Sequence, residues 1–245
     1  MTERRGTIVL LLGAAGWIVA CVAGAIAAVA LVGLCAGYGV LGLTASDKFT
    51  YVLAGAIGFQ GTMLAGAMIQ GRWAGRGNLS AGLGIAPIRR GRLVALCCVA
   101  APLWIACFVG LTELFPALRD LVKSATPDLL ANPGDLTLPL ATARVALLAV
   151  LAPVSEEFFF RGWLWESLRR RGHALLAIAL LTAVPWLLLH GLVSPWRVAF
   201  LVPAAVIFTA ARCWGGGVLG SLPVHLTNNA VVVAVQLLGE TPGHG

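Results

Sequence analysis

Charge is scarce in this 245-residue chain: Asp, Glu, Lys and Arg make up 11% of it, against 59% hydrophobic residues. With a mean hydropathy of +0.92, the composition excludes an ordinary soluble domain, and no segment is polar enough to form a separate one. Cysteine is present but lacks pattern. Cys21, Cys35, Cys97, Cys98, Cys107 and Cys213 lie in or beside apolar runs without Cys-x-x-Cys spacing. That argues against a disulfide framework and a thiolate zinc site and leaves them as small hydrophobes. A His-Glu-x-x-His helix is also missing, so any metal would have to rest on His, Glu or Asn. The chain has neither low-complexity segments nor an internal repeat, which weakens an inverted-repeat transporter reading.

What is there is apolar length. A membrane-crossing helix needs about 20 mostly apolar residues, and such runs occur at Thr7–Cys35, Tyr51–Gln70, Leu93–Leu114, Leu140–Arg161, Ala174–Leu192, Val198–Ala211 and Val218–Leu238. The expected fold is all-α, a polytopic transmembrane bundle of about seven spans, with six to eight open. The sixth run is short. It reads as a tilted span whose Arg197 and Arg212 snorkel to the two interfaces, or as a re-entrant piece. The first run follows Arg4 and Arg5 as a leader would, but a cleaved leader holds only about 7–15 apolar residues. This run continues past Cys21 and is expected to stay as a span. Its Gly16, Ala20, Gly24 and Ala28 form a small-residue ridge suited to close helix packing.

Basic residues set the expected orientation. If all seven runs cross, Arg4, Arg5, Arg72, Arg76, Arg89, Arg90, Arg92, Arg169–Arg171 and Arg212 share one side. Lys48, Arg119, Lys123, Arg144 and Arg197 fall opposite. The positive-inside rule then places the N-terminus and the 169–171 turn in the cytoplasm, in a cytoplasmic (inner) membrane. The +7 net charge is a topology signal that also meets anionic lipid headgroups. Scattered among loops without a recognition motif, it gives no basis for nucleic-acid binding. The longest external connection runs over Pro116–Pro139, with Asp120, Asp128 and Asp135. Residues 1–139 read as N-terminal helices and loops, and 140–238 as the part that carries chemistry.

Ionisable groups inside the apolar runs point to a functional site, because they are costly in hydrocarbon. Neighbouring residues on an α-helix point about 100° apart, so Glu156 and Glu157 are not expected to aim at one point. Glu157 precedes Arg161 by four, the favourable acid-then-base spacing for a pair. That leaves Glu156 the freer carboxylate, suited to a general base; the bland alternative is one charge network holding helices together. His190, four beyond Trp186, and His225, four before Asn229, add imidazoles able to orient water, move a proton or bind a metal. His225 and Asn229 share a helix face and suit hydrogen-bond donation to an oxyanion. A chain reversal near His173 would bring His190 level with Glu156. Pro153, Pro185 and Pro223 precede the three motifs, and each frees a backbone carbonyl that protein or water must satisfy; a hydrated, opened cavity is expected there.

Taken in order, Glu156-Glu157-x-x-x-Arg161, Trp186-x-x-x-His190 and His225-x-x-x-Asn229 resemble the three motifs of the CAAX prenyl protease 2 and bacteriocin-processing (CPBP, or Abi) family of intramembrane endopeptidases, over about Leu140–Leu238. One departure is visible: the second motif's aromatic is usually Phe and is Trp186 here, expected to keep a large apolar wall. The resemblance implies a helical membrane bundle hydrolysing peptide bonds in a cavity reached from the cytoplasmic side. By position, Glu156 would activate water, His190 would orient it, His225 and Asn229 would stabilise the oxyanion, and Glu157 with Arg161 would support the first helix. The family is often called a metalloprotease. Glu156, His190 and His225 would make a three-ligand zinc set, and a metal-free glutamate mechanism fits the same residues. The implied partners are the lipid bilayer and a peptide or membrane-protein substrate, lipidated or not. Two other readings stand beside this one: a non-catalytic scaffold or bacteriocin-immunity protein on the same fold, and a proton-coupled transporter, which should spread polar residues along a whole pathway.

Overall fold

The structure, a computed structural model, describes residues 2–37, 48–95, 98, 101–115, 136–191 and 195–239. Up to residue 135, the connection expected over Pro116–Pro139 lies outside them. Among the described residues the fold is all-α. The helices are α1 (Thr2–Gly37), α2 (Lys48–Ala74), α3 (Leu79–Leu83), α4 (Arg90–Ala95), α5 (Ala101–Leu114), α6 (Leu138–Arg170), α7 (Leu175–Gly191), α8 (Pro195–Gly215) and α9 (Val218–Gly239). By length and composition, α1, α2 and α6 are long enough to cross a membrane, and shorter apolar helices follow in α7, α8 and α9.

Two boundaries differ from expectation. α6 runs on past Arg161 to Arg170, because the residues after Arg161 turn inward: Trp163, Leu164, Trp165 and Leu168 are all buried. The short sixth run becomes the 21-residue α8, which starts at Pro195, a residue that tolerates a first helical position because its missing N–H has no helical partner there. Arg212 of α8 does not snorkel. It is 4% exposed, with Nη2 on Glu166 Oε1 at 2.6 Å and Nε on the Arg161 carbonyl at 2.9 Å. A carboxylate and a carbonyl on α6 take its donors instead. Arg144, counted above with the opposite loops, is likewise buried, at 1% exposure within α6. The Arg197 side chain lies outside the description.

Lipid offers no hydrophobic drive between helices, so close packing and polar links hold such a bundle. The α1 ridge serves this at one end only. A Cβ added at Gly24 would lie 2.1 Å from Thr62 Oγ1, and one at Gly58 would lie 2.5 Å from the Gly24 carbonyl, whereas Gly16 faces open space. α6 is central and packs against α2, α3, α7 and α9. One end of the bundle is tied by polar links: Thr7 Oγ1 to His173 Nε2 at 2.8 Å, Arg170 to the Ala74 and Ala81 carbonyls, and Arg92 to the Trp214 carbonyl at 3.0 Å. The start of α1, the α2–α3 turn, the α6–α7 turn and the end of α8 therefore gather where most of the arginines lie.

Candidate active site

Proline chemistry shapes α6 before any charged group matters. The Ala152 N–H bonds back to Leu147, and Leu147–Leu151 winds as a π turn. In that register the next residue's N–H would serve Leu148, but the next residue is Pro153, which has none. The Leu148 carbonyl is instead satisfied by Asn229 Nδ2 at 2.9 Å. A second π stretch, Glu157–Leu164, carries the first motif. π turns pack more residues into a given length of helix and recur at functional sites.

This winding changes which residue meets Glu156. The chain reverses at Arg171–Gly172, with Gly172 at φ 75°, a conformation that favours glycine. Trp186, not His190, comes level with Glu156, and its Nε1 donates to Glu156 Oε2 at 2.6 Å. The aromatic expected as an apolar wall is thus also a donor. His190 sits one turn further along α7, its ring 4.6 Å from that of Trp186 and its Nδ1 donating to the Trp186 carbonyl at 2.9 Å. Because a carbonyl only accepts, that bond puts the proton on Nδ1 and turns Nε2 into the basic nitrogen of the neutral ring.

The second glutamate does more than pair with arginine. Fully buried Glu157 places Oε1 3.3 Å from Arg161 Nη1, as the i, i+4 spacing anticipates, and 2.9 Å from His225 Nδ1. Across the same imidazole, His225 Nε2 lies 4.0 Å from Glu156 Oε2. Two adjacent carboxylates that diverge by helix geometry therefore flank opposite edges of one ring. Phe208 of α8 stacks on His225 at 4.3 Å and 22°, and the Arg161 guanidinium lies 4.7 Å from the Trp186 ring centre. Glu157 Oε2 and all three Arg161 side-chain nitrogens are buried without a hydrogen-bond partner.

The structure thus gathers Glu156, Glu157, Arg161, Trp186 and His225, with His190 against the Trp186 ring. Asn229 is tied to α6 at the Leu148 carbonyl, and Asn228 Nδ2 donates to its Oδ1 at 3.0 Å. One Asn229 N–H is committed to Leu148, and its carboxamide has a second. Sequence reasoning missed Gln60 of α2, whose Nε2 donates to Glu156 Oε1 at 3.1 Å, and Phe208. Neither belongs to a motif; the available signal was an amide in the middle of an apolar run. Among the described residues no three His, Cys, Asp or Glu side chains converge as a metal requires. His225 Nδ1 is held by Glu157 and His190 Nδ1 by a carbonyl, so Nε2 is the ring nitrogen that each could turn to water or a metal. An apolar cavity of about 450 Å³ lies between α1, α6 and α7, lined by Leu11, Phe160, Leu181, Pro185 and Leu188. It adjoins the site without including its charged groups, so it is not the hydrated opening expected from the prolines.

Residues 138–231 match the family model described as type II CAAX prenyl endopeptidase Rce1-like. This stretch is Rce1-like. The match bears out the resemblance read from the three motifs: over these helices the chain is similar to the CAAX-type intramembrane proteases. It contains every motif residue and leaves α1, α2 and Gln60 outside. No curated protein and no solved structure matches the chain.

Proposed function

We propose that this protein is an intramembrane endopeptidase in which Glu156 activates water for attack on a peptide carbonyl. The observation that carries the reading is the setting of Glu156: a buried carboxylate, each oxygen held by one side-chain N–H donor, facing an imidazole whose other nitrogen is anchored by a second carboxylate. Glu156 lies 14 residues, roughly 20 Å of helix, before the Arg170 end of α6, so in this reading the reaction takes place below that end and not at it.

A carboxylate accepts a proton from water as the oxygen bonds to the carbonyl carbon, and returns it to the leaving amine. The 4.0 Å between Glu156 Oε2 and His225 Nε2 is too long for a direct hydrogen bond and leaves room for a water between His225 and the Glu156 carboxyl, within reach of either of its oxygens. Glu157 fixes the His225 tautomer, as a buried carboxylate does for a catalytic imidazole. His190 Nε2 orients the water or shares its proton, while the second N–H of Asn229, joined by His225 once its Nε2 carries a proton, stabilises the oxyanion. No step runs through a metal. The Rce1-like family description makes a prenylated CAAX-type tail the first substrate to test. The arginine-rich end faces the cytoplasm of an inner membrane, residues 140–238 form the catalytic core, and residues 1–139 support it.

The test is hydrolysis of an internally quenched farnesylated CAAX peptide by purified protein in detergent. Wild type should cleave it. Glu156→Gln, near-isosteric and unable to take the proton, should lose about 10²-fold or more in rate while melting like wild type. Undiminished cleavage by that variant would remove Glu156 from the role.

A further inference from the structure

Three side chains beside the base form a chain whose hydrogens can be counted. Gln60 Nε2 lies 3.1 Å from Glu156 Oε1, Gln60 Oε1 lies against Ser155 Oγ, and Ser155 Oγ also lies 2.9 Å from the Ala152 carbonyl. Ser155 is fully buried, and its hydroxyl has one hydrogen and two acceptor lone pairs. It can therefore donate to Gln60 or to Ala152, not to both. When Glu156 is ionised it only accepts, so the Gln60 amide must present its N–H₂ to Glu156 and its oxygen to Ser155, which donates. When Glu156 is protonated, the other arrangement closes equally well. Ser155 donates to Ala152, the turned amide donates to Ser155 Oγ, and its oxygen accepts from the Glu156 O–H.

Resting on the reading of Glu156 as base, we propose that Gln60 is a positioning residue of the reaction, contributed by α2 from outside the family-matched stretch. With Ser155 setting the sense of its amide, it donates to ionised Glu156 and, turned over, accepts from Glu156 once the carboxyl holds the proton taken from water. The balance is simple. One water O–H bond breaks, its proton goes to Glu156 Oε1, the hydroxide oxygen bonds to the carbonyl carbon, and the proton later leaves Glu156 for the amine nitrogen. Trp186 donates to Oε2, and in this proposal the proton taken from water rests on Oε1, the oxygen that meets Gln60.

The first readout needs no substrate. In infrared spectra of the purified protein, the Glu156 band is the one lost in Glu156→Gln. Gln60→Met, similar in shape and unable to hydrogen-bond strongly, should shift that band, and Ser155→Ala should shift it in the same direction. If Gln60→Met fails to insert, Ser155→Ala alone decides. A band unmoved in the folded variant overturns the proposal, whatever the activity. On the farnesylated CAAX peptide, Gln60→Met should lower kcat about tenfold, the scale of one hydrogen bond to a charged group, with KM little changed. Ser155→Ala should lower kcat less, and add nothing in the Gln60→Met background, as coupled residues do. Additive losses, or a change confined to KM, would make Gln60 merely structural. Failure of wild type to cleave the peptide would instead count against the proposed substrate, and the infrared result would still decide the role of Gln60.

Discussion

α6 carries two buried glutamates paired with arginine, and the two pairs are built differently. Glu166 meets Arg212 at 2.6 Å and Arg169 at 2.8 Å, and Arg212 also bonds the Arg161 carbonyl. This cluster joins α6 to α8 and sits on Gly84, at φ 60°, where an added Cβ would lie 2.7 Å from both Arg212 Nη2 and Glu166 Oε1. Glu157 and Arg161 stand 3.3 Å apart, with Glu157 Oε2 and the guanidinium nitrogens lacking hydrogen-bond partners. Breaking a buried pair is costly in either place. The saturated cluster reads as a helix clamp, whereas the loosely paired one keeps hydrogen-bonding capacity in reserve and spends its one short contact on His225.

The comparison breaks most sharply at Glu157. Glu157→Ala should leave Arg161 without a carboxylate and His225 without an anchor, costing on the order of 3–5 kcal/mol of stability and nearly all peptide cleavage. Melting in detergent at the wild-type temperature would show that Arg161 has another partner. Glu166→Gln should sharpen the contrast from the other side: stability falls by about 1–3 kcal/mol because Arg212 loses its charge partner, yet cleavage per folded molecule stays near wild type. A catalytic loss as deep as that of Glu157→Ala would dissolve the distinction between the pairs.

A smaller effect is expected at Trp186. Trp186→Phe keeps a ring against His190 and Phe208 but deletes the N–H held by Glu156 Oε2, so cleavage should fall by about tenfold with the melting temperature nearly unchanged. Full activity would mean that the 2.6 Å bond is incidental. The least change is expected from chelation: thorough metal stripping should leave cleavage intact, and elemental analysis should find no stoichiometric zinc. Activity lost on stripping and recovered with zinc would reinstate a metal mechanism on Glu156, His190 and His225.

The sequence exposed what short-range rules control. Apolar length gave the helices, i, i+4 spacing gave Glu157–Arg161, and prolines anticipated a freed carbonyl, which Asn229 fills at Leu148. What escaped depends on register and on long-range placement. The two π turns in α6 cannot be read from residue types, and the second, over Glu157–Leu164, together with the reversal at Arg171–Gly172 brings Trp186 rather than His190 opposite Glu156. Arg212 at the end of an apolar run looks like a snorkelling residue until Glu166 is brought beside it by a helix 46 residues earlier in the chain. Gln60 belongs to no motif, and nothing local distinguishes it from a packing residue.

The central claim is that Glu156 drives peptide-bond hydrolysis inside the membrane. It is tested most directly by profiling protein termini in membranes of cells carrying wild type or Glu156→Gln at equal abundance. A set of cleaved termini found with wild type and missing with Glu156→Gln is the predicted result, and it would name the substrates. Identical termini in both membranes would contradict the account.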